Sequence, residues 1–261
     1  MTGSRIPVIT YHGLDDHPSP LFVSPHQFEL HLKALADAGR KTLLAGQVLD
    51  LLRRNEPLPA EAVVITFDDG YESVFREAWP RLRAFGFTAT VFLVTDYCGR
   101  DNRWPGQPAS VPIRPLLSWT QVGALSVEGC EFGAHTRTHP ALVSLPLSQA
   151  LTEILESQVA ISERIGQKAR VFAYPYGAAN SDLRQIVRDH FDGALGTRLG
   201  MVQGHSDRYD LERIDAYYLT PGWIQTLNTS GFRLYLYIRR ILRSTRRLIS
   251  RDWQRVQAQR V

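Results

Sequence analysis

Four polar clusters constrain what this chain can fold into. Tyr11-His12-Gly13, Thr66-Phe67-Asp68-Asp69-Gly70, His135-Thr136-Arg137-Thr138-His139 and Tyr174-Pro175-Tyr176-Gly177 each follow directly on a short run with strand character. Those runs are residues 6–11, 62–67, 131–134 and 170–174, and further strands are predicted at 88–94 and 193–196. Helices are predicted between them: 25–39 behind an N-cap at Ser24, 72–85, 119–127 behind Ser118, 148–165 and 181–190. Strands alternating with helices over such a length argue for an α/β fold with a parallel sheet, either open or closed into a barrel. In a parallel barrel the C-terminal strand ends share one face, where active sites are built. The four clusters then belong to a single site.

His135 and His139 are four residues apart and can reach one metal ion if the backbone turns helically between them. A carboxylate from the Asp68-Asp69 pair is the candidate third ligand. Two imidazoles and a carboxylate leave coordination positions open, as hydrolytic metal sites need. The second aspartate is then free to act as a general base. Taken singly, each feature has a plainer reading: surface or capping histidines for the pair, and a helix cap for either aspartate. Gly70 suits both readings, because each requires a tight turn.

TFDDG, HTRTH and FAYPYG, in that order and at this spacing, resemble the polysaccharide deacetylases, carbohydrate esterase family four, over roughly residues 6 to 220. The resemblance implies a distorted (β/α) barrel, here of about seven parallel strands, and metal-dependent removal of N-acetyl groups from amino sugars. Carried onto this sequence, it makes Asp68 the catalytic base and Asp69, His135 and His139 the metal ligands. Pro175 and Tyr176 match the groove motif, with Tyr174 beside them, and the Tyr176 backbone N–H would stabilise the oxyanion. Two family features are missing. Where many members have an arginine that orients the base, this chain has Ala173, and no histidine follows His205 to serve as the usual late general acid. The pattern resembles the subgroup acting on poly-N-acetylglucosamine, in which an early histidine is the acid, here His12. Arg213, expected to follow a strand, is the candidate orienting residue. The plainer alternatives are a satisfied buried histidine and a structural salt bridge. Zinc suits the ligand set, and cobalt, nickel or iron would fit it too.

With 44% apolar and 21% charged residues in 261, the chain can bury a sizeable core. Cys98 and Cys130 are read as buried free thiols, with a single bridge as the alternative. Residues 104–115 form a proline-rich loop. Charge is uneven: residues 231–261 carry nine arginines and one aspartate, a local +8 on a chain of net +4. Residues 1–225 are expected to form the barrel and 226–261 a basic amphipathic helical extension. Its apolar stripe is Leu234, Ile238, Ile241, Leu242, Ile249, Trp253 and Val256. Such a helix either contacts an anionic membrane surface or packs on the barrel with a solvated arginine face. Nucleic acid is not an expected partner, since no recognition fold accompanies the charge. With no apolar run of signal-peptide or spanning length, the expected location is cytoplasmic, peripheral at the inner membrane face if the tail meets lipid. The expected substrate is an N-acetylated amino-sugar polymer or glycan precursor; a small non-sugar amide, or a non-catalytic carbohydrate-binding barrel, are the competing readings.

Overall fold

The structure, a computed structural model, describes residues 4–249, with side chains through residue 243. Its strands are β1 (Val8–Tyr11), β2 (Gly13–Leu14), β3 (Phe22–Val23), β4 (Lys41–Leu43), β5 (Ala62–Phe67), β6 (Thr90–Leu93), β7 (Glu131–Ala134), β8 (Val171–Ala173), β9 (Gly193–Leu199) and β10 (Leu211–Asp215). Its α-helices are α1 (Pro25–Asp37), α2 (Ala45–Arg53), α3 (Trp79–Ala84), α4 (Trp119–Val127), α5 (Leu147–Ile165), α6 (Ser181–His190), α7 (Pro221–Gln225) and α8 (Ser230–Ile249).

Among the described residues, seven strands pair in parallel in the ring β1-β5-β6-β7-β8-β9-β10, and β10 closes back onto β1. β4 stands outside the ring. Val64 of β5 pairs with Leu43 of β4, whereas Thr66 and Phe67 above it pair with Thr90 and Val91 of β6. The lower edge of β5 is thus covered by β4 and the upper edge by β6, which makes this a distorted barrel.

Side chains alternate along a strand, so one register of each strand fills the barrel. Val8, Val64, Phe92, Val171, Leu195 and Leu211 form one buried cluster with Val48, Leu49 and Leu52 of α2, which seals the N-terminal end. Two residues further along, four of these registers turn polar, at Thr10, Thr66, Thr197 and Arg213; β6 and β8 continue with Val94 and Ala173, and β7 adds His135 beyond Gly133. The barrel is therefore apolar below and chemically armed above. The opposite register, including Ile9, Ile65, Phe67, Val91, Phe132 and Phe172, packs under the helices. Cys130 is buried and Cys98 half-buried, and both are free.

The structure departs from the sequence expectations in several places. β4 and α2 are additional elements. α2 is anchored from afar, its first N–H groups donating to Thr90 Oγ1 (3.0 Å) and to the Glu131 carboxylate (3.1 Å). The helix predicted over 72–85 is broken. Pro80 has no N–H to offer Arg76, and the preceding turn, Val74–Ala78, widens to a π-helix. Arg213 lies within β10 rather than beyond a strand. On α8 the inward residues are Phe232 and Leu236, while Leu234, Ile238, Ile241 and Leu242 of the expected stripe are exposed. No side-chain placement is described for Ile249, and Trp253 and Val256 lie outside the described residues. No described helix is long and apolar enough to cross a membrane.

Gly133 marks a close approach within the barrel wall. A Cβ there would lie 2.5 Å from the Phe92 ring and 2.7 Å from the Val171 carbonyl oxygen. Gly133→Ala is expected to destabilise the fold by about 1–3 kcal/mol, read as a lower urea midpoint with an unchanged slope.

Candidate metal centre and active site

Asp68 extends the inward register of β5, its N–H donating to the Tyr11 carbonyl at 2.9 Å. In extended chain Asp69 would face the other way. It does not, because Asp69 (φ 70°) and Gly70 (φ 74°) both adopt left-handed conformations. The turn they make brings both carboxylates, buried, to the same cavity. Gly70 also has no room for a side chain, since a Cβ would lie 2.7 Å from Leu93 Cδ2.

His135 continues the inward register of β7, its N–H donating to the Leu93 carbonyl at 2.9 Å. The chain then reaches His139 without a helical turn; Thr136 (φ 67°) and His139 (φ 60°) are left-handed instead. Three carboxylates hold this loop. Glu153 accepts from the N–H groups of Arg137 and Thr138, at 2.9 Å each, and from the Thr138 hydroxyl at 2.8 Å. Arg137 pairs with Asp96 at 2.8 Å and Glu156 at 2.6 Å. Left-handed non-glycine residues are rare and cost on the order of 1–3 kcal/mol each. Among the described residues Asn55 alone has one away from this site, the others being Asp69, Thr136, His139 and Tyr176.

Asp69, His135 and His139 each offer one ligand atom within 4.8 Å of the others. His135 Nδ1 lies 2.7 Å from the Ala173 carbonyl, which can only accept, so Nδ1 carries the proton and Nε2 is a bare lone pair. His139 Nδ1 lies 3.2 Å from the Tyr176 hydroxyl. Burial holds the His139 imidazole well below its usual pKa, hence neutral. Both Nε2 atoms face Asp69 Oδ1, at 3.6 and 3.4 Å. A cation placed among them would meet two imidazole nitrogens and one carboxylate oxygen in a buried pocket. The donor set and its outer hydrogen bonds thus fit a divalent metal.

Next to this triad, Arg213 Nη1 donates to Asp68 Oδ1 at 2.7 Å and its Nε to the Gly196 carbonyl at 2.7 Å. Burial pushes the Asp68 carboxyl up, but the Arg213 guanidinium beside it prevails and brings it down to about 2. Burial raises the Asp69 carboxyl, against the pull of His12 and His135. His12, one residue past β1, lines the same cavity of about 560 Å³, as do Tyr174 and Tyr176. Pro175, by contrast, is buried at the start of its turn and is not among the lining residues. Sequence reasoning missed Trp104, whose ring lies 4.8 Å from that of His139, and Asp215 and Arg243, which line the cavity. The proline-rich loop was the available signal for Trp104.

The sequence profile of the family described as polysaccharide deacetylase matches residues 55–191. That span takes in Asp68, Asp69, His135, His139 and Tyr176 but neither His12 nor Arg213. YxkH of Bacillus subtilis (strain 168), which bears a polysaccharide deacetylase designation, is 25% identical over 234 residues, 89% of this chain and 76% of that one. A poly-beta-1,6-N-acetyl-D-glucosamine N-deacetylase of Staphylococcus aureus is 23% identical over 175 residues, 64% of this chain; the aligned part spans 57% of that enzyme. Among solved structures, the Streptococcus pyogenes deacetylase PplD in complex with acetate aligns with a TM-score of 0.74 at 24% identity, covering 86% of this chain and 96% of that one. IcaB from Ammonifex degensii aligns at 0.73 and 24% identity, over 86% and 98% of the two chains. At these identities the structures attest the shared fold.

Removing the Tyr176 hydroxyl leaves His139 Nδ1 without its partner. Tyr176→Phe is expected to weaken zinc binding by roughly 10- to 100-fold, measured by competition with a chromophoric chelator.

Proposed function

Because the chain belongs to the polysaccharide deacetylase family, whose members are hydrolases, we propose that it is a metal-dependent N-deacetylase of an N-acetylated amino-sugar polymer or glycan precursor. The observation that carries the reading is the convergence of three buried metal-ligand atoms with an ion-paired aspartate in one cavity. Asp69, His135 and His139 would hold the metal, with zinc preferred by its nitrogen and oxygen donors. When bound, the cation supplies Lewis-acid polarisation of the acetyl carbonyl.

The remaining work falls to the chain itself. Asp68, ionised across the neutral range, takes a proton from the attacking water. Arg213 fixes the carboxylate through one oxygen, which leaves the other for the proton. The Tyr176 N–H donates to the oxygen of the tetrahedral intermediate. Amines depart only when protonated, and His12 delivers that proton to the sugar nitrogen as the C–N bond breaks. The products are acetate and a free amino sugar. The retention of Asp68 together with all three candidate ligands speaks against a non-catalytic barrel.

Acetate release from N-acetylglucosamine oligomers tests the reading. Zinc-loaded wild type is expected to release acetate, and Asp69→Ala to release none; silence from both would defeat the sugar assignment. Arg213→Gln should lower kcat by about 10- to 100-fold with little change in KM, the sign of an interaction made chiefly in the transition state. For His12, leaving-group chemistry provides the control. His12→Ala should slow amide substrates roughly 100- to 10,000-fold yet spare an activated aryl acetate, whose phenolate departs unprotonated. Equal losses on both substrates would remove His12 from the acid role.

A further inference from the structure

α8 carries two apolar faces. On the inner one Phe232 and Leu236 are buried, and Tyr235 stacks on Trp223 at 4.5 Å and donates to the Tyr218 carbonyl at 2.8 Å. At the helical repeat, Leu234, Tyr237 and Ile238 fall on the opposite side, 59, 61 and 48% exposed. Ile241, also exposed, carries the same row up another turn. Attachment to the barrel is supplied by the inner face, so the outer row is not needed for it.

Charge identifies what the row suits. Residues 230–249 include no aspartate or glutamate, and Arg233 and Arg240 border the row. A helix fixed by one face and displaying an apolar row edged by arginine and tyrosine has the chemistry of a helix lying in a bilayer interface. A surface for a second protein copy would gain nothing from so one-sided a charge, since the same arginines would then face each other. An anionic lipid surface answers both the apolar row and the arginines.

The helix also runs to the site. Just before it, Asn228 Nδ2 donates to the Ala60 carbonyl, ahead of β5 at the closed end of the barrel. Near its far end Arg243 Nη1 donates to the Thr197 carbonyl at 3.1 Å, and Arg243 lines the cavity. α8 therefore climbs the barrel wall from the sealed end to the mouth.

We propose that the outer face of α8 docks on an anionic bilayer, and that the glycan deacetylated is one held at that surface. The barrel then lies on its side, its mouth opening along the bilayer at the end of the docked helix. The substrate half rests on the deacetylase reading; the docking half does not.

The test uses the full zinc-loaded chain and a Leu234→Ser/Tyr237→Ser/Ile238→Ser variant. Wild type should co-sediment with phosphatidylcholine vesicles that contain phosphatidylglycerol and not with phosphatidylcholine alone. The variant should bind about tenfold more weakly, and added salt should weaken the wild type. Acetate release from a soluble N-acetylglucosamine oligomer should be equal for the two proteins. Release from a lipid-tethered N-acetylglucosamine in the anionic vesicles should fall in the variant as binding falls. Equal vesicle binding by both proteins, or a variant that merely converts a dimer to a monomer, would overturn the docking. Wild-type docking without faster release from the tethered sugar would overturn the surface-held substrate. If the soluble oligomer yields no acetate with wild type, it is the deacetylase reading that fails, and co-sedimentation still judges the helix.

Discussion

A carboxylate buried in the upper barrel must be paired, and Arg213 pairs Asp68. The two stand 145 positions apart in the chain, on strands that meet across β1 only because the ring closes. Breaking a buried pair by removing one partner typically costs about 3–5 kcal/mol, because the survivor is left desolvated and alone. Closure of the barrel and ionisation of Asp68 are therefore one constraint seen from two sides. The apolar lower register supports the same arrangement, since α2 and its cluster with Val8, Val64 and Leu211 keep water from the sealed end. Only the upper rim is left to be polar, and there Thr10, His135, Thr197 and Arg213 line the cavity while Thr66 donates to the Ile9 carbonyl.

The triad of Asp69, His135 and His139 shows a second economy, of geometry. Parallel strands deliver one inward side chain per rung, too few for two neighbouring aspartates and two nearby histidines to face one point. Left-handed residues solve this. Asp69 is turned inward by its own positive φ, and His139 is swung back by Thr136 and by its own. Such conformations relax unless their surroundings hold them. Glu153 and Asp96 hold the histidine loop from outside, and the Ala173 carbonyl and Tyr176 hydroxyl fix the two rings from inside. The three side chains are thus held in place by the protein's own contacts.

Much of this was legible in the sequence where local chemistry decides. The β-branched runs gave the strands; Ser24 and Ser118 gave true caps for α1 and α4, accepting from Gln27 and Gln121. The polar clusters marked the rim because they follow strand ends. What was not legible depends on distant contacts. Three-residue β4 exists because half of β5 lacks a neighbour, and α2 because Thr90 and Glu131 receive its N–H groups. The spacing of His135 and His139 suggested a helical turn, since periodicity says nothing about left-handed residues that tertiary hydrogen bonds stabilise. The apolar stripe of α8 was visible, but not which of its two faces the barrel would take. Phe232 and Leu236 take it because Trp223 and β9 lie on that side.

The division between shared and particular features runs along the chain. The family profile ends at residue 191, and by then Asp68, the three metal-ligand candidates and Tyr176 are all in place. The strands and helices beyond that point supply direction. β10 brings Arg213 to Asp68, the place that Ala173 leaves without a charge, and β9 provides the Thr197 carbonyl that receives Arg243. A guanidinium reaching a carboxylate from β10 serves the same physical need as one reaching it from β8, because the requirement is a cation beside a buried anion and not a position in sequence. Once that need is met within the barrel, the arginines of α8 are released from it. Arg233 and Arg240 instead border an exposed apolar row on a helix whose other face is already satisfied. The same residue type thus acts as a buried counter-ion in β10 and as a surface charge on α8, and burial alone separates the two roles.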